Sequence, residues 1–271
     1  MEQIAVLISG AADSKTALDY GYAIAGASGR NVLLVYEYEV PMFFSPDPLS
    51  SALLPMAEAQ NIAQEQLAAL LQDYRTQYPQ VSTTGRLALA DPEAPLDRDD
   101  SDPSAILITA LNREKLHDWW EETPALDMLQ EARHSVLAVP EGYAYQPVSH
   151  ITLALRPDQS PATLPVASLQ SVLQLTGAAL QVVTVHAPDT LPPVLLEVLR
   201  PLRPTYYNLT HADTVDTALA DFVQQHPTGW MAVIPGTYGF WEGLFHKSHT
   251  KALAEASPIP VLALHQRSSG N

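Results

Sequence analysis

Six residues in the stretch PGTYGFWEGLFHKSHT, Pro235 to Thr250, have the types and spacing to hold a phosphate. Gly236 and Gly239 stand three apart just after an apolar run. Glycines so placed let the backbone turn tightly and bring its N–H groups close to an anion. Lys247, Ser248, His249 and Thr250 follow in a segment with helical spacing. They offer a cation, two hydroxyls and an imidazole. The chemistry would be electrostatic capture of a phosphate at a strand-to-helix turn, not bond breaking. The same glycine pair also serves an ordinary tight turn, with Phe240, Trp241, Leu244 and Phe245 covering a crevice or an interface.

Other constellations carry less. His186, His211 and His249 each follow an apolar run or its turn, and imidazoles there could bind zinc or act as bases. No H-E-x-x-H spacing supports them. The acidic loop Asp97 to Asp102 lacks the ordered ligand spacing and glycine of an EF-hand. Ser9, Ser135 and Ser248 have no G-x-S-x-G elbow. Trp119 and Trp120 suit either packing over a sheet edge or a partner-binding lid. No catalytic residue and no metal ligand is assigned.

The elements that must position these residues come from ten apolar runs. In the first half they are Ile4–Ile8, Val32–Tyr36, Arg86–Leu89, Ala105–Thr109 and Val136–Val139. In the second they are Ile151–Leu155, Leu180–Val185, Tyr206–Leu209, Trp230–Ile234 and Val261–Leu264. Near-continuous apolar strands are buried on both faces, as in a parallel sheet flanked by helices. Helical stripes lie between them: Ala59, Ile62, Ala63, Leu67, Leu70, Leu71, Tyr74 and Tyr78; then Val215, Ala218, Leu219, Phe222 and Val223; then Phe245, His249, Ala252, Leu253 and Ala256. Ser160-Pro161 and Thr123-Pro124 read as N-cap and N1 pairs. A third helix is doubtful in the first half, where ADPEAPLDRDDSDPSA has no helical period.

The plan occurs twice. ARHSVLAVP, from Ala132, matches SPIPVLALH, from Ser257, with Val136, Leu137 and Ala138 over Val261, Leu262 and Ala263. The openings IAVLISGAADSKTAL and ITLALRPDQSPATL run in parallel, and each first helix reaches a glycine, Gly29 or Gly177. PEGYAYQPVSH, Pro140 to His150, reads as a linker, so residues 1–145 and 146–271 are expected to be two domains.

Composition narrows the function. The chain has 271 residues, 46% of them hydrophobic, with 14 basic against 30 acidic side chains and a net charge of −16. Such a surface repels nucleic-acid phosphates and anionic membranes, so neither is expected as a partner. With no cysteine, disulfides and thiolate chemistry are excluded. The opening MEQIAVLISG has neither a basic n-region nor a long apolar h-region, and the expected location is cytoplasmic. Residues 1–145 carry 8 basic and 22 acidic side chains, a net of −14; residues 146–271 carry 6 and 8, a net of −2. If phosphate binds anywhere, it binds in the second half.

Two repeats of this length, closing in SPIPVLALH, resemble the universal stress protein family in its tandem form, over essentially the whole chain. The resemblance implies an α/β fold: two tandem doubly wound five-stranded parallel-sheet domains, adenine nucleotide alpha-hydrolase-like, associated along their last strands as an internal pseudo-dimer. It also implies, for some members, an adenine-nucleotide site. That site has an aspartate ending strand one and a G-x-x-G-(nine)-G-[S/T] loop after strand four. Here Gly236 and Gly239 supply the first pair, nine residues from Phe240 to Ser248 follow, and His249 takes the place of the closing glycine before Thr250. The aspartate's place falls at Ser9 in the first half and near Leu155 or Arg156 in the second. In the first half Ala110 and Arg113 replace the glycines, and Glu121, Glu122 and Asp127 surround the next helix start, so no nucleotide is expected there.

The reading is a cytoplasmic universal stress protein, non-catalytic, acting in the stress response through a protein partner or a weak ligand. Its nucleotide-binding site is degenerate, and no cofactor is expected. A homodimer is compatible with it. The alternative is a sensor of ATP or AMP, or a slow ATPase, using only the second domain. A metal-dependent enzyme at the histidine-lined sheet edge is the third.

Overall fold

A computed structural model describes residues 3–9, 14–39, 53–89, 91–97, 106–111, 132–156, 158–185, 191–210, 215–225, 229–235 and 259–265. All ten apolar runs are strands: β1 Gln3–Ile8, β2 Asn31–Tyr38, β3 Thr83–Leu89, β4 Ile106–Leu111, β5 Ser135–Pro140, β6 His150–Ala154, β7 Ala179–Val185, β8 Thr205–Leu209, β9 Trp230–Val233 and β10 Val261–Ala263. The described helices are α1 Lys15–Ser28, α2 Leu53–Gln77, α3 Ala94–Asp97, α4 Val166–Thr176, α5 Pro193–Leu199 and α6 Val215–Gln225. The chain divides into two compact units, Met1–Thr109 and Ala110–Asn271.

In the first unit the strands run in the order β3-β2-β1-β4, each pair parallel. Side chains alternate across a strand, so Val6, opposite Leu34, which is opposite Gly85, lies on one face and Arg86 on the other. α1 covers the first face. A Cβ placed on Gly21 would meet Cγ2 of Val6 at 2.5 Å and Cδ1 of Ile108 at 3.6 Å, so bare backbone is what lets the helix lie this close. α3 sits on the other face, where the Arg86 guanidinium donates to the Pro95 carbonyl. It is a single turn, in keeping with the missing helical period.

In the second unit the order is β5-β10-β9-β6-β7-β8. Its run β9-β6-β7-β8 repeats β4-β1-β2-β3, again parallel. The two closing strands, alike in sequence, pair with each other antiparallel, Leu137 opposite Leu262. α6 covers one face through Phe222, whose ring meets Tyr207 edge-on at 5.1 Å between centroids.

Local chemistry ends the first helix of each repeat in the same way. Gly29 and Gly177 both take φ +68°, and their N–H groups donate to Ala25 and Leu173. This left-handed cap is open to glycine with no Cβ penalty. The second repeat starts its helix later than Ser160-Pro161 suggests. That pair opens a 3-10 turn, Pro161–Thr163, and α4 begins at Val166. Pro165 is the cause: it drives Leu164 into an extended conformation, φ −74° and ψ 119°, which no α-helix can run through. One residue of the α2 stripe is also displaced. Ala63, Leu67 and Tyr74 are buried, but Ile62 is 49% exposed because it stands about a third of a turn off their line.

α1 and α2 meet through stacked tyrosines. Tyr22 lies 4.7 Å from Tyr74 and 4.9 Å from Tyr78, centroid to centroid. The Tyr22 hydroxyl donates to Thr83 Oγ1 at 3.1 Å, and Tyr74 donates to Asp19 at 3.0 Å. Burial is the first cause that pushes the Tyr74 phenol far above its ordinary range, with the Asp19 carboxylate adding to it. Burial raises Tyr22 as well. A proton held more tightly in the folded state stabilises below the unfolded pKa and ceases to as pH rises through the folded value. The protein should therefore lose stability steadily above about pH 10. Tyr74→Phe should flatten that loss in denaturant melts taken from neutral to alkaline pH. An unchanged alkaline slope would remove Tyr74 as its source.

Candidate functional site

In a doubly wound sheet, ligands gather beyond the carboxyl ends of the strands where the order reverses. Here that reversal lies between β1 and β4 in the first repeat and between β6 and β9 in the second. The described residues at these ends are Ser9, Leu111, Leu155, Arg156, Ile234 and Pro235. The predicted phosphate residues Gly236, Gly239, Lys247, Ser248, His249 and Thr250 lie outside the described residues, as do His186, His211, Trp119, Trp120 and the Thr123-Pro124 pair.

Strand register decides what stands at the end of each first strand. Val32, three residues past the Gly29 cap, is opposite Ile4; Leu180, three past the Gly177 cap, is opposite Ile151. Ile4 therefore corresponds to Ile151, Ile8 to Leu155, and Ser9 to Arg156. Leu155 is buried and stays in the ladder, its N–H donating to Val183 at 2.9 Å. Arg156 is the first side chain beyond it.

Arg156 grips Asp158 in a fork. Nε donates to one carboxylate oxygen at 2.9 Å and Nη2 to the other at 2.6 Å. This bidentate geometry orients both groups. The hydrogen bond holds the Asp158 carboxyl below the usual carboxylate range and raises the guanidinium. Both side chains are well exposed, 47% and 68%, so the fork acts on orientation more than on stability. The pair's signal was an arginine and an aspartate two apart, immediately after the apolar run ITLAL.

The first repeat presents acid at the matching corner. Glu37, near the end of β2, has its carboxyl pushed up by burial first and then by Glu39 and Asp91. Asp91 accepts the backbone N–H groups of Glu93 and Ala94 at 3.0 and 3.2 Å, which fixes its charge at the start of α3. By the same register Val185 takes the place of Glu37 in the second repeat. An acidic edge repels phosphate. Among the described residues, no three His, Asp or Glu side chains are grouped to hold a metal ion, and no helix is long and apolar enough to cross a membrane.

The fold and edge geometry are those of a doubly wound α/β protein with its candidate site at the carboxyl end of the strands. Solved structures of that kind are similar along almost the whole chain. A universal stress protein from Archaeoglobus fulgidus DSM 4304 superposes with a TM-score of 0.63 at 12% identity, covering 97% of this chain and 96% of that one. A protein of unknown function from Pseudomonas aeruginosa PAO1 gives 0.54 at 16%, covering 98% and 93%. A candidate universal stress protein from Pseudomonas aeruginosa UCBPP-PA14 also gives 0.54 at 16%, covering 98% and 94%. No family model and no curated protein matches the sequence. The chain thus has the α/β fold found in universal stress proteins, and the described residues form the ten strands expected.

Proposed function

We propose that this is a tandem universal stress protein with repeats 1–145 and 146–271. It works in the cytoplasm, without catalysis, through a protein partner or a weakly held ligand. Its adenine-nucleotide edge is altered. The observation that carries this reading is Arg156. It occupies the strand-end place where nucleotide-binding members of the resembled family have an aspartate, and its fork with Asp158 keeps a cation there. An arginine has five donors and no acceptor, so it cannot accept a hydrogen bond from the adenosine side of a ligand. His249, in the place of the closing glycine, adds a side chain where a phosphate would approach backbone.

Titration calorimetry of the full chain with ATP tests the reading. The parent should give no saturable heat in the micromolar range. Restoring both positions, with Arg156→Asp and His249→Gly, should bring binding back. A regained charge-assisted hydrogen bond contributes about 1.5–3 kcal/mol, or about ten- to a hundredfold in affinity. Tight ATP binding by the parent would replace this reading with that of a nucleotide sensor.

A further inference from the structure

We propose that the outer corner of α2 and β3 is a docking surface for a partner protein, and that it takes a basic amphipathic segment. α2 is too long for the strands it covers. Its 25 residues span about 37 Å, against about 26 Å for the 8 residues of β2. The helix runs antiparallel to them. Arg75 donates to the Thr83 carbonyl at 2.7 Å, Leu67 and Leu71 lie over Gly85, and Tyr36, opposite Leu87, donates to Gln66. The first turns of α2 therefore overhang the carboxyl end of the sheet. Met56 stands seven residues before Ala63, on the same helix face, yet Ala63 is buried and Met56 is 38% exposed.

Leu89 and Ile62 join Met56 at this corner. Leu89 lies four residues beyond Gly85 on the same face of β3, about 13 Å along the strand, or about nine residues of helix. It comes level with the turn of α2 that holds Ile62. Ile62 stands nearly half a turn from Tyr78, whose ring stacks on Tyr22 of α1, so it faces away from α1 and toward the edge strand β3. Of the five large apolar side chains exposed among the described residues, three, Met56, Ile62 and Leu89, belong to this corner. Single exposed apolar residues are ordinary, but clustered ones mark an interaction site.

Charge selects the occupant. Glu58 and Glu65, four before and three after Ile62, flank it on the same helix face, and Glu39 follows Tyr38, which is opposite Leu89. All three carboxylates are exposed. The described bases of this unit lie elsewhere. Lys15 pairs with Asp19, Arg30 precedes β2, Arg75 is at the far end of α2 and Arg86 is on the opposite face of the sheet. An apolar centre with an acidic rim, in a half whose net charge is −14, is complementary to apolar side chains flanked by lysine or arginine. The same charge repels a second copy of this chain.

The proposal rests on the partner reading above, and a separate titration tests it. The probe is a fluorescent amphipathic helical peptide of leucine and lysine, with a leucine–glutamate peptide of the same pattern as control. By anisotropy the full chain should bind the first and not the second. Ile62→Ser with Leu89→Ser leaves the charge unchanged and should weaken binding about tenfold or more. Glu58→Gln with Glu65→Gln should weaken it and reduce its salt dependence. All four positions are exposed, so the thermal melts should stay those of the parent. Val194→Ser and Glu197→Gln, at exposed positions of the second unit, should leave binding unchanged. No binding by the parent overturns the proposal. So does an equal loss in Val194→Ser or Glu197→Gln, equal binding of the two peptides, or undiminished binding by the corner variants. Tight ATP binding by the parent would strike the partner reading and alter none of these outcomes.

Discussion

Trp230→Ala should lower the stability of the folded chain by about 3–5 kcal/mol, the usual loss for deleting a large aromatic side chain from a core. Among the described residues Trp230 is the bulkiest fully buried side chain, only 1% exposed. It opens β9, which lies between β6 and β10, and it stands opposite Ile151. Its neighbours cannot close the gap easily. Strand β6 is held on its far side by β7, and Ile151 is itself completely buried. The cost therefore includes a cavity as well as lost transfer free energy. Trp230→Phe should recover much of it by leaving an aromatic ring in place. Equilibrium unfolding in urea measures both. A loss below about 1 kcal/mol for the alanine variant, the range typical of surface changes, would mean that β9 does not anchor this core.

Gly21→Ala should also destabilise, against the helical preference. Alanine in a helix interior is favoured over glycine by about 1 kcal/mol. At this position the added methyl would stand 2.5 Å from Val6 Cγ2. Val6 is fully buried and β-branched, so it can neither rotate freely nor move toward solvent. Overpacking of this kind costs about 1–3 kcal/mol, enough to reverse the gain. The diagnostic result is the double variant. Val6→Ala alone should lose stability by leaving a void, but with Gly21→Ala the new methyl enters that void. The two changes should therefore fall short of additivity by about 1–3 kcal/mol. Losses that simply add would place the strain of Gly21→Ala elsewhere.

The two variants probe different levels of legibility. Trp230 as a core residue was readable from its place in the run Trp230–Ile234. Gly21 was not: a glycine within an apolar helix, KTALDYGYAIAGAS, gives no hint of what crosses above it. Only the packing of α1 on β1 shows that the missing Cβ is needed. The same holds for Ile62. It belongs to a plausible stripe, but the side of α2 that is buried depends on where the helix lies over the sheet.

At the candidate site the limit was register. The sequence left the counterpart of Ser9, the place of the resembled family's strand-one aspartate, near Leu155 or Arg156. The ladder between β6 and β7, counted from the Gly177 cap, assigns it to Arg156. Register is set by hydrogen bonds between segments 29 residues apart, as in Ile151 opposite Leu180, and no local preference specifies it. The fork onto Asp158 depends in turn on where that strand stops.

What the sequence by itself determined were features governed by neighbours along the chain. Ten apolar runs became ten strands, two glycines became left-handed caps, and the prolines near Leu164 stopped one helix before starting another. Only the tertiary structure decided how distant segments meet. Val136-Leu137-Ala138 and Val261-Leu262-Ala263 were legible as copies, but nothing local showed that they would pair antiparallel. TYYNL, with its aromatic and β-branched residues, reads as a strand for a core, yet β8 stands at an edge with no buried residue. A strand's composition reports what it can pack against. Its burial depends on what the rest of the fold puts beside it.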